Sequence, residues 1–184
     1  MAESKTKAKD EKAKTDADKK ASEKAAAGTE TRQAVQPQVA LHAQYVKDFS
    51  FESPSSPDVF LNQPGQPNVE VAVNVASTRL ENNHFEVVLK IAATAKTDDK
   101  TIFVVELSYG GIASSNVTDE KMLHPLIAIE GPRLLFPFAR AVVANITREG
   151  GFLPLNLNPI DFLALYQQNM AQQQAAATVP EKSK

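Results

Sequence analysis

The stretch SPSSPDVFLNQPGQP, Ser53 to Pro67, decides how the rest of the chain is read. It has fifteen residues, four of them proline. Proline fixes φ and carries no amide hydrogen, so the run cannot pair as an inner strand. It is also too long and too stiff for a hairpin loop. The strand before it is therefore carried away from the strand after it.

Four strands read from alternation around this connection. YVKDFSFE sets Tyr45, Phe49 and Phe51 against Val46, Asp48 and Glu52. VEVAVNVAS puts Val69, Val71, Val73 and Val75 on one face, with Glu70 and Asn74 on the other. HFEVVLKIAATA turns Phe85, Val87, Leu89 and Ile91 inward, and Glu86 and Lys90 outward. TIFVVELSYG turns Phe103, Val105, Leu107 and Tyr109 inward, and Val104, Glu106 and Ser108 outward. One apolar and one mostly polar face per strand marks an antiparallel sheet covered on one side. LENN and KTDDK are of hairpin length and rich in turn residues. Three hairpin-linked strands plus one reached by a long connection predict a four-stranded, Greek-key-like sheet. Its order is 1-4-3-2, with the first strand beside the fourth.

Helices follow the strands. TDEKMLHPLIAIEG predicts a short helical piece interrupted by Pro125. In PRLLFPFARAVVANITREGG, residues Leu135, Phe138, Val142 and Ile146 form one helical stripe. Pro132 suits its first turn, Gly150 and Gly151 its end, and Pro137 kinks it or delays its start. The last helix opens at NPIDFLALYQQ, with Asn158 as N-cap, Pro159 at the first helical position and Asp161 in the first turn. Helices after strands cover the inner sheet face, which gives an α+β fold with the helices on one face.

The 184 residues are most simply one domain with tails. Residues 1–40 hold nine Lys and Arg against seven Asp and Glu and no aromatic residue, and are expected to be a disordered, solubilising tail. Their mixed charge argues against a nucleic-acid arm. The folded domain is expected over residues 41–170; the stretch from Gln167 begins as helix and then frays, which makes residues 171–184 a flexible C-terminal tail. There is no cysteine, which excludes disulfides and thiolate metal clusters and suits a reducing compartment. The N-terminus has no apolar signal region. The most apolar stretch is broken by Glu130, Gly131, Pro132, Arg133, Pro137 and Arg140, so direct membrane insertion is not expected. A soluble, cytoplasmic protein is the expectation.

No phosphate-binding loop, dinucleotide fingerprint, zinc-protease motif or nucleophile elbow occurs in the sequence. His42, His84 and His124 have no metal-ligand spacing near them. No catalytic residue, metal or cofactor is expected. Asp48 and Glu52 share a strand face but lie about 13 Å apart at ~3.3 Å per residue, beyond the separation of catalytic carboxylate pairs. In the order 1-4-3-2, Val104 and Glu106 lie beside them on the same outward face. The patch is either a solvated face or an interaction surface. The phenylalanines crowd the elements around the long connection: Phe49, Phe51, Phe60, Phe103, Phe136, Phe138, Phe152 and Phe162. They are either core, or the roof and floor of an apolar groove that holds extended peptide.

YVKDFSFESPSSPDVF, LKIAATA, ELSYGGI and GPRLLFPFARAVVANITREGGFLPLNLNPIDFLALY closely resemble SecB, the bacterial protein-export chaperone family, over about residues 44–170. The resemblance implies a cytosolic homotetramer, a dimer of dimers with helices between two eight-stranded sheets. It implies binding of unfolded precursor proteins without ATP, and delivery to the SecA motor at the translocon. A scaffolding oligomer without client binding is the alternative. The SecA-docking face of the family falls on Asp48, Glu52, Val104 and Glu106. Its peptide groove falls on Phe51, Phe60, Leu61, Phe103, Phe152, Phe162 and Leu165. The chain departs from the family at QPGQP, where Pro64 and Gly65 stand near an expected aromatic. The N-terminal extension lies outside the resemblance.

Overall fold

The computed structural model describes residues 38–62, 65–97 and 100–177. The four expected strands are β1 (Val39–Glu52), β2 (Asn68–Arg79), β3 (His84–Thr97) and β4 (Lys100–Ser115). They pair antiparallel in the expected order, β1-β4-β3-β2. The proline-rich connection holds a turn and a short helix, α1 (Asp58–Asn62), and leads from β1 at one edge of the sheet to β2 at the other. Pro64, part of the departure noted above, lies outside the described residues, as do residues 1–37 and 178–184.

The β2–β3 hairpin closes at Leu80 and His84, with Asn82 and Asn83 at φ 55° and 59°. Asparagine tolerates this left-handed conformation better than most residues. Thr97 pairs with Lys100 at the other hairpin.

Two strands run further than alternation shows. β1 starts at Val39, inside the expected tail. The Gln38 amide donates to Asn116 Oδ1 at 2.9 Å, and Ser115 Oγ donates to the Gln38 carbonyl at 2.9 Å. β4 continues through Gly110 and Gly111 to Ser115, beyond the expected end of the strand.

The helices correct three expectations. Residues Glu120–Glu149 form one helix, α2, through Pro125, Pro132 and Pro137. At about 3 kcal/mol for each proline inside a helix, the three cost about 9 kcal/mol. The packing of α2 on the sheet offsets this, because Leu123, Ile127, Leu135, Phe136 and Val143 are buried there and each such side chain contributes about 1.5–3 kcal/mol. The buried stripe is also turned from the expected one. Phe136, Ala139 and Val143 face the core, whereas Phe138 is half exposed. The last helix, α3 (Phe162–Ala177), starts later than expected and continues to Ala177. Asp161 is its N-cap, accepting from the Leu163 and Ala164 amides at 3.0 and 3.1 Å. Asn158 and Pro159 belong to the extended chain before it.

That extended segment is tied back to α2 by Thr147, which is fully buried. Its hydroxyl donates to the Val143 carbonyl at 3.0 Å and accepts from the Leu155 amide at 2.9 Å. The inner face of the sheet, α2 and the start of α3 share one core, which includes Val87, Leu89, Ile91, Val105 and Leu107. Among the described residues, no helix is long and apolar enough to cross a membrane.

Candidate functional site

Alternation along β1 is interrupted at Lys47. Val46 pairs with Tyr109 and Asp48 with Ser108, so Lys47 is an extra residue on the strand. Such a bulge inverts the phase of the side chains on either side. Phe49 and Phe51 lie opposite Leu107 and Val105 on the inner face, as expected. Tyr45 lies opposite Gly110, in register with the outward residues, and not with the phenylalanines. Its ring occupies the space above Gly110, where an added Cβ would fall 2.7 Å from Tyr45 Cε2.

South of the bulge, toward Glu52, the outward face is a grid. Glu52 pairs with Val104, Ser50 with Glu106, and Asp48 with Ser108. Across β4, Val104 pairs with Thr94, Glu106 with Ala92, and Ser108 with Lys90. The fold thus brings Asp48, Glu52, Val104 and Glu106 together. The three acids are exposed around a half-buried valine. Asp48 and Glu106 also line a shallow depression with Asn74, Lys90, Ala92 and Ser108.

North of the bulge, Lys47 turns to Glu86. Its ammonium donates to Glu86 Oε1 at 2.7 Å and Oε2 at 2.8 Å, and the Tyr45 hydroxyl donates to Oε1 at 2.5 Å. Hydrogen bonds from Lys47 and then Tyr45 hold the Glu86 carboxyl below the usual carboxylate range. The hydrogen bond to Glu86, followed by burial, pushes the Tyr45 hydroxyl up to about 12. Nothing in residue type or spacing marks this cluster in the sequence.

The inner end of the sheet carries the aromatic group. Phe103 lies 5.1 Å from Phe152, Phe152 lies 5.1 Å from Phe60, and Phe51 lies 6.2 Å from Phe103, centroid to centroid. Phe103 is buried, Phe51 and Phe152 are half-buried, and Phe60 is 46% exposed. Gly150 and Gly151 form the floor beneath Phe51 and Phe60. Gly151 has φ +86°, and an added Cβ would lie 3.1 Å from the Phe60 ring. Leu61 and Leu153, which follow Phe60 and Phe152 in the chain, are 76% and 89% exposed. Sequence reading misses Leu153, although an apolar residue between Gly151 and Pro154, outside any periodic run, is a signal for it.

Phe162 and Leu165 stand apart from these rings. Phe162 is 2% exposed and packs edge-on to Phe136 at 5.8 Å. With Leu165 it lines a separate cavity of about 330 Å³, bounded also by Val75, His124, Tyr166 and Met170.

His42 and His84, distant in sequence, come together with ring centroids 5.0 Å apart, and His42 Nε2 lies 2.7 Å from Ser114 Oγ. Among the described residues, no group of three or more His, Cys, Asp or Glu is placed to hold a metal ion.

An exposed aromatic seat at one side of a sheet, with an acidic face on the other, has the features of a polypeptide-binding module. Comparisons with known proteins identify which. Residues 32–173 match the family model SecB, described as preprotein translocase subunit SecB. The chain is 47% identical to the protein-export protein SecB of Nitrobacter winogradskyi, over 83% of this chain and 96% of that one. It is 47% identical to that of Afipia carboxidovorans, over 76% and 87% of the respective chains. Among solved structures, a Mycobacterium tuberculosis SecB-like chaperone in complex with a peptide from an antitoxin has the same fold. Its TM-score is 0.56 at 14% identity, over 67% of this chain and 91% of that one. The chain belongs to the SecB family of protein-export chaperones.

Proposed function

We propose that the chain acts as an ATP-independent holdase, which binds unfolded precursor proteins in the cytoplasm and hands them to the SecA motor for export. The observation that carries the reading is the ladder Phe103–Phe152–Phe60. It leads from the buried core to half-exposed Phe60, and Leu61 and Leu153, the residues that follow Phe60 and Phe152 in the chain, are exposed. A half-exposed aromatic on a firm seat gives apolar contact area at little entropic cost. Segments of an unfolded chain then add strand-like to the nearby sheet edge, where backbone hydrogen bonding does not depend on client sequence.

The acidic rows of Asp48, Glu52 and Glu106 around Val104 form the SecA-docking face. They lie on the side of the sheet away from the aromatic seat, so client and motor need not compete. The working assembly is a homotetramer, a dimer of dimers, and several seats engaging one flexible client raise the effective concentration of the next contact. Calorimetric titration of the tetramer with an unfolded precursor, and separately with SecA, tests this. Independent binding of both supports it, and absence of client binding removes it.

A further inference from the structure

We propose that Glu86 and Tyr45 form a holding station for the Lys47 ammonium, which keeps that cation off the acidic rows and so sets how strongly the face takes a basic partner surface. Glu86 and Tyr45 are thus positioning residues, and the inference rests on the docking reading above. The bulge places Lys47 between two regions of the outward face. On one side is Glu86, on the other Asp48, its immediate neighbour, with Glu106 diagonal to it. A lysine stem reaches either way. Coulomb attraction alone favours the acidic rows, where several carboxylates gather. Instead, both Glu86 oxygens take the ammonium, at 2.7 and 2.8 Å.

Three features give Glu86 the advantage. It offers a two-oxygen seat to one cation. Its side chain is only 19% exposed, against 47% for that of Lys47, so solvent screens the pair less than a fully exposed one. The Tyr45 hydroxyl also donates to Oε1 at 2.5 Å, and Tyr45 itself is fixed because its ring fills the space above Gly110. The carboxylate is therefore oriented before lysine arrives. Lys90 remains on the acidic side opposite Ser108, and is common to every variant below.

The test is a double-mutant cycle on the full chain, with SecA as probe at low ionic strength. The variants are Glu86→Gln, Lys47→Met and the pair. Removing the Glu86 charge weakens a basic partner in either background, and that part cancels in the cycle. Release of Lys47 onto the acidic rows does not cancel. Glu86→Gln is expected to lower SecA affinity about fivefold when Lys47 is present, the upper end for an exposed charge pair, and less than about twofold in the Lys47→Met background. Equal losses in both backgrounds overturn the proposal. A partner-free readout separates it from the docking reading: the carbon NMR resonance of the Asp48 carboxyl at one fixed neutral pH. It is expected to move on Glu86→Gln with Lys47 present, as the ammonium arrives beside it, and to move much less in the Lys47→Met background. A displacement of the same size in both overturns the holding station, whatever SecA does. If the Asp48 resonance behaves as expected but the reversal Asp48→Lys, Glu52→Lys leaves SecA affinity unchanged, the docking reading fails. The station's role in setting partner strength then fails with it.

Discussion

The rings of Phe60 and Phe152 lie 5.1 Å apart, and Phe152 lies the same distance from Phe103. Phe60 is 46% exposed and Phe103 is 4% exposed, so one ladder has a surface end and a core end. The two ends respond differently to truncation. Phe103→Ala is expected to destabilise the protein by about 3–5 kcal/mol. About half of Phe60 remains for a client to cover, or about 1 kcal/mol of the 1.5–3 for full burial. Phe60→Ala should therefore weaken binding of an unfolded precursor about fivefold, with a much smaller fall in melting temperature than Phe103→Ala, because only the other half of the ring is buried in the protein. Thermal melts and titration of both variants check this. A melting temperature for Phe60→Ala as low as that of Phe103→Ala would make Phe60 part of the core.

Gly151 supports the same seat. Its φ of +86° is one that a residue with a Cβ adopts at a cost of about 1–2 kcal/mol. In Gly151→Ala the new methyl also presses on the Phe60 ring. The variant should lose about that much stability and bind client more weakly, whereas Arg133→Ala, at an exposed position, should do neither. Urea unfolding alongside client titration measures both effects, and an unperturbed Gly151→Ala would show that the ring does not depend on this floor.

The acidic rows give a prediction of the opposite kind. Asp48, Glu52 and Glu106 are exposed, and changing such side chains usually alters stability by less than about 0.5 kcal/mol. Asp48→Lys with Glu52→Lys should abolish SecA binding and leave client binding intact, because the seat is on the other face. Wild-type SecA binding should weaken as salt rises, with screening lengths of about 8–10 Å at physiological ionic strength. Unchanged SecA affinity in the double reversal would leave these acids as a solvated face.

The Lys47–Glu86–Tyr45 cluster links stability to pH at both ends of the scale. The Glu86 carboxyl is lowered on folding, so its contribution is present above the ordinary carboxylate value and is lost as pH falls through the lower folded value. The Tyr45 hydroxyl is raised from 10.0 to about 12, so its contribution is complete below pH 10 and is lost as pH rises from 10 to about 12. Urea midpoints of wild type and Tyr45→Phe, followed across the alkaline window, should converge as pH rises. A gap that stays constant through pH 12 would show that the hydroxyl does not titrate with folding.

The strand order was legible because four prolines between Ser53 and Pro67 forbid a hairpin, and that constraint is local. The inward and outward faces of β2, β3 and β4 followed from their alternation. Tyr45 was misplaced because a bulge at Lys47 shifts the phase, and no residue type announces a bulge. The continuity of α2 was hidden for a different reason. Proline propensity is local, but the burial of Leu123 and Ile127 that overrides it is tertiary. The convergence of Asp48, Glu52, Val104 and Glu106 was readable once strand order was known. The separation of Phe162 from Phe152 was not, since both follow α2 closely in sequence and only the extended segment between them takes the chain from the Phe103 group to Phe136.

Holding by mass action is most directly measured by the refolding of a slow-folding, reduced precursor diluted from denaturant into increasing amounts of the full-length protein. A partner that binds only the unfolded state withdraws it from folding in proportion to its free concentration. The refolding rate should fall steadily as the protein exceeds the precursor, identically with and without ATP, and should recover in part with Phe60→Ala. A refolding rate unchanged at large excess of the protein would contradict the holdase reading.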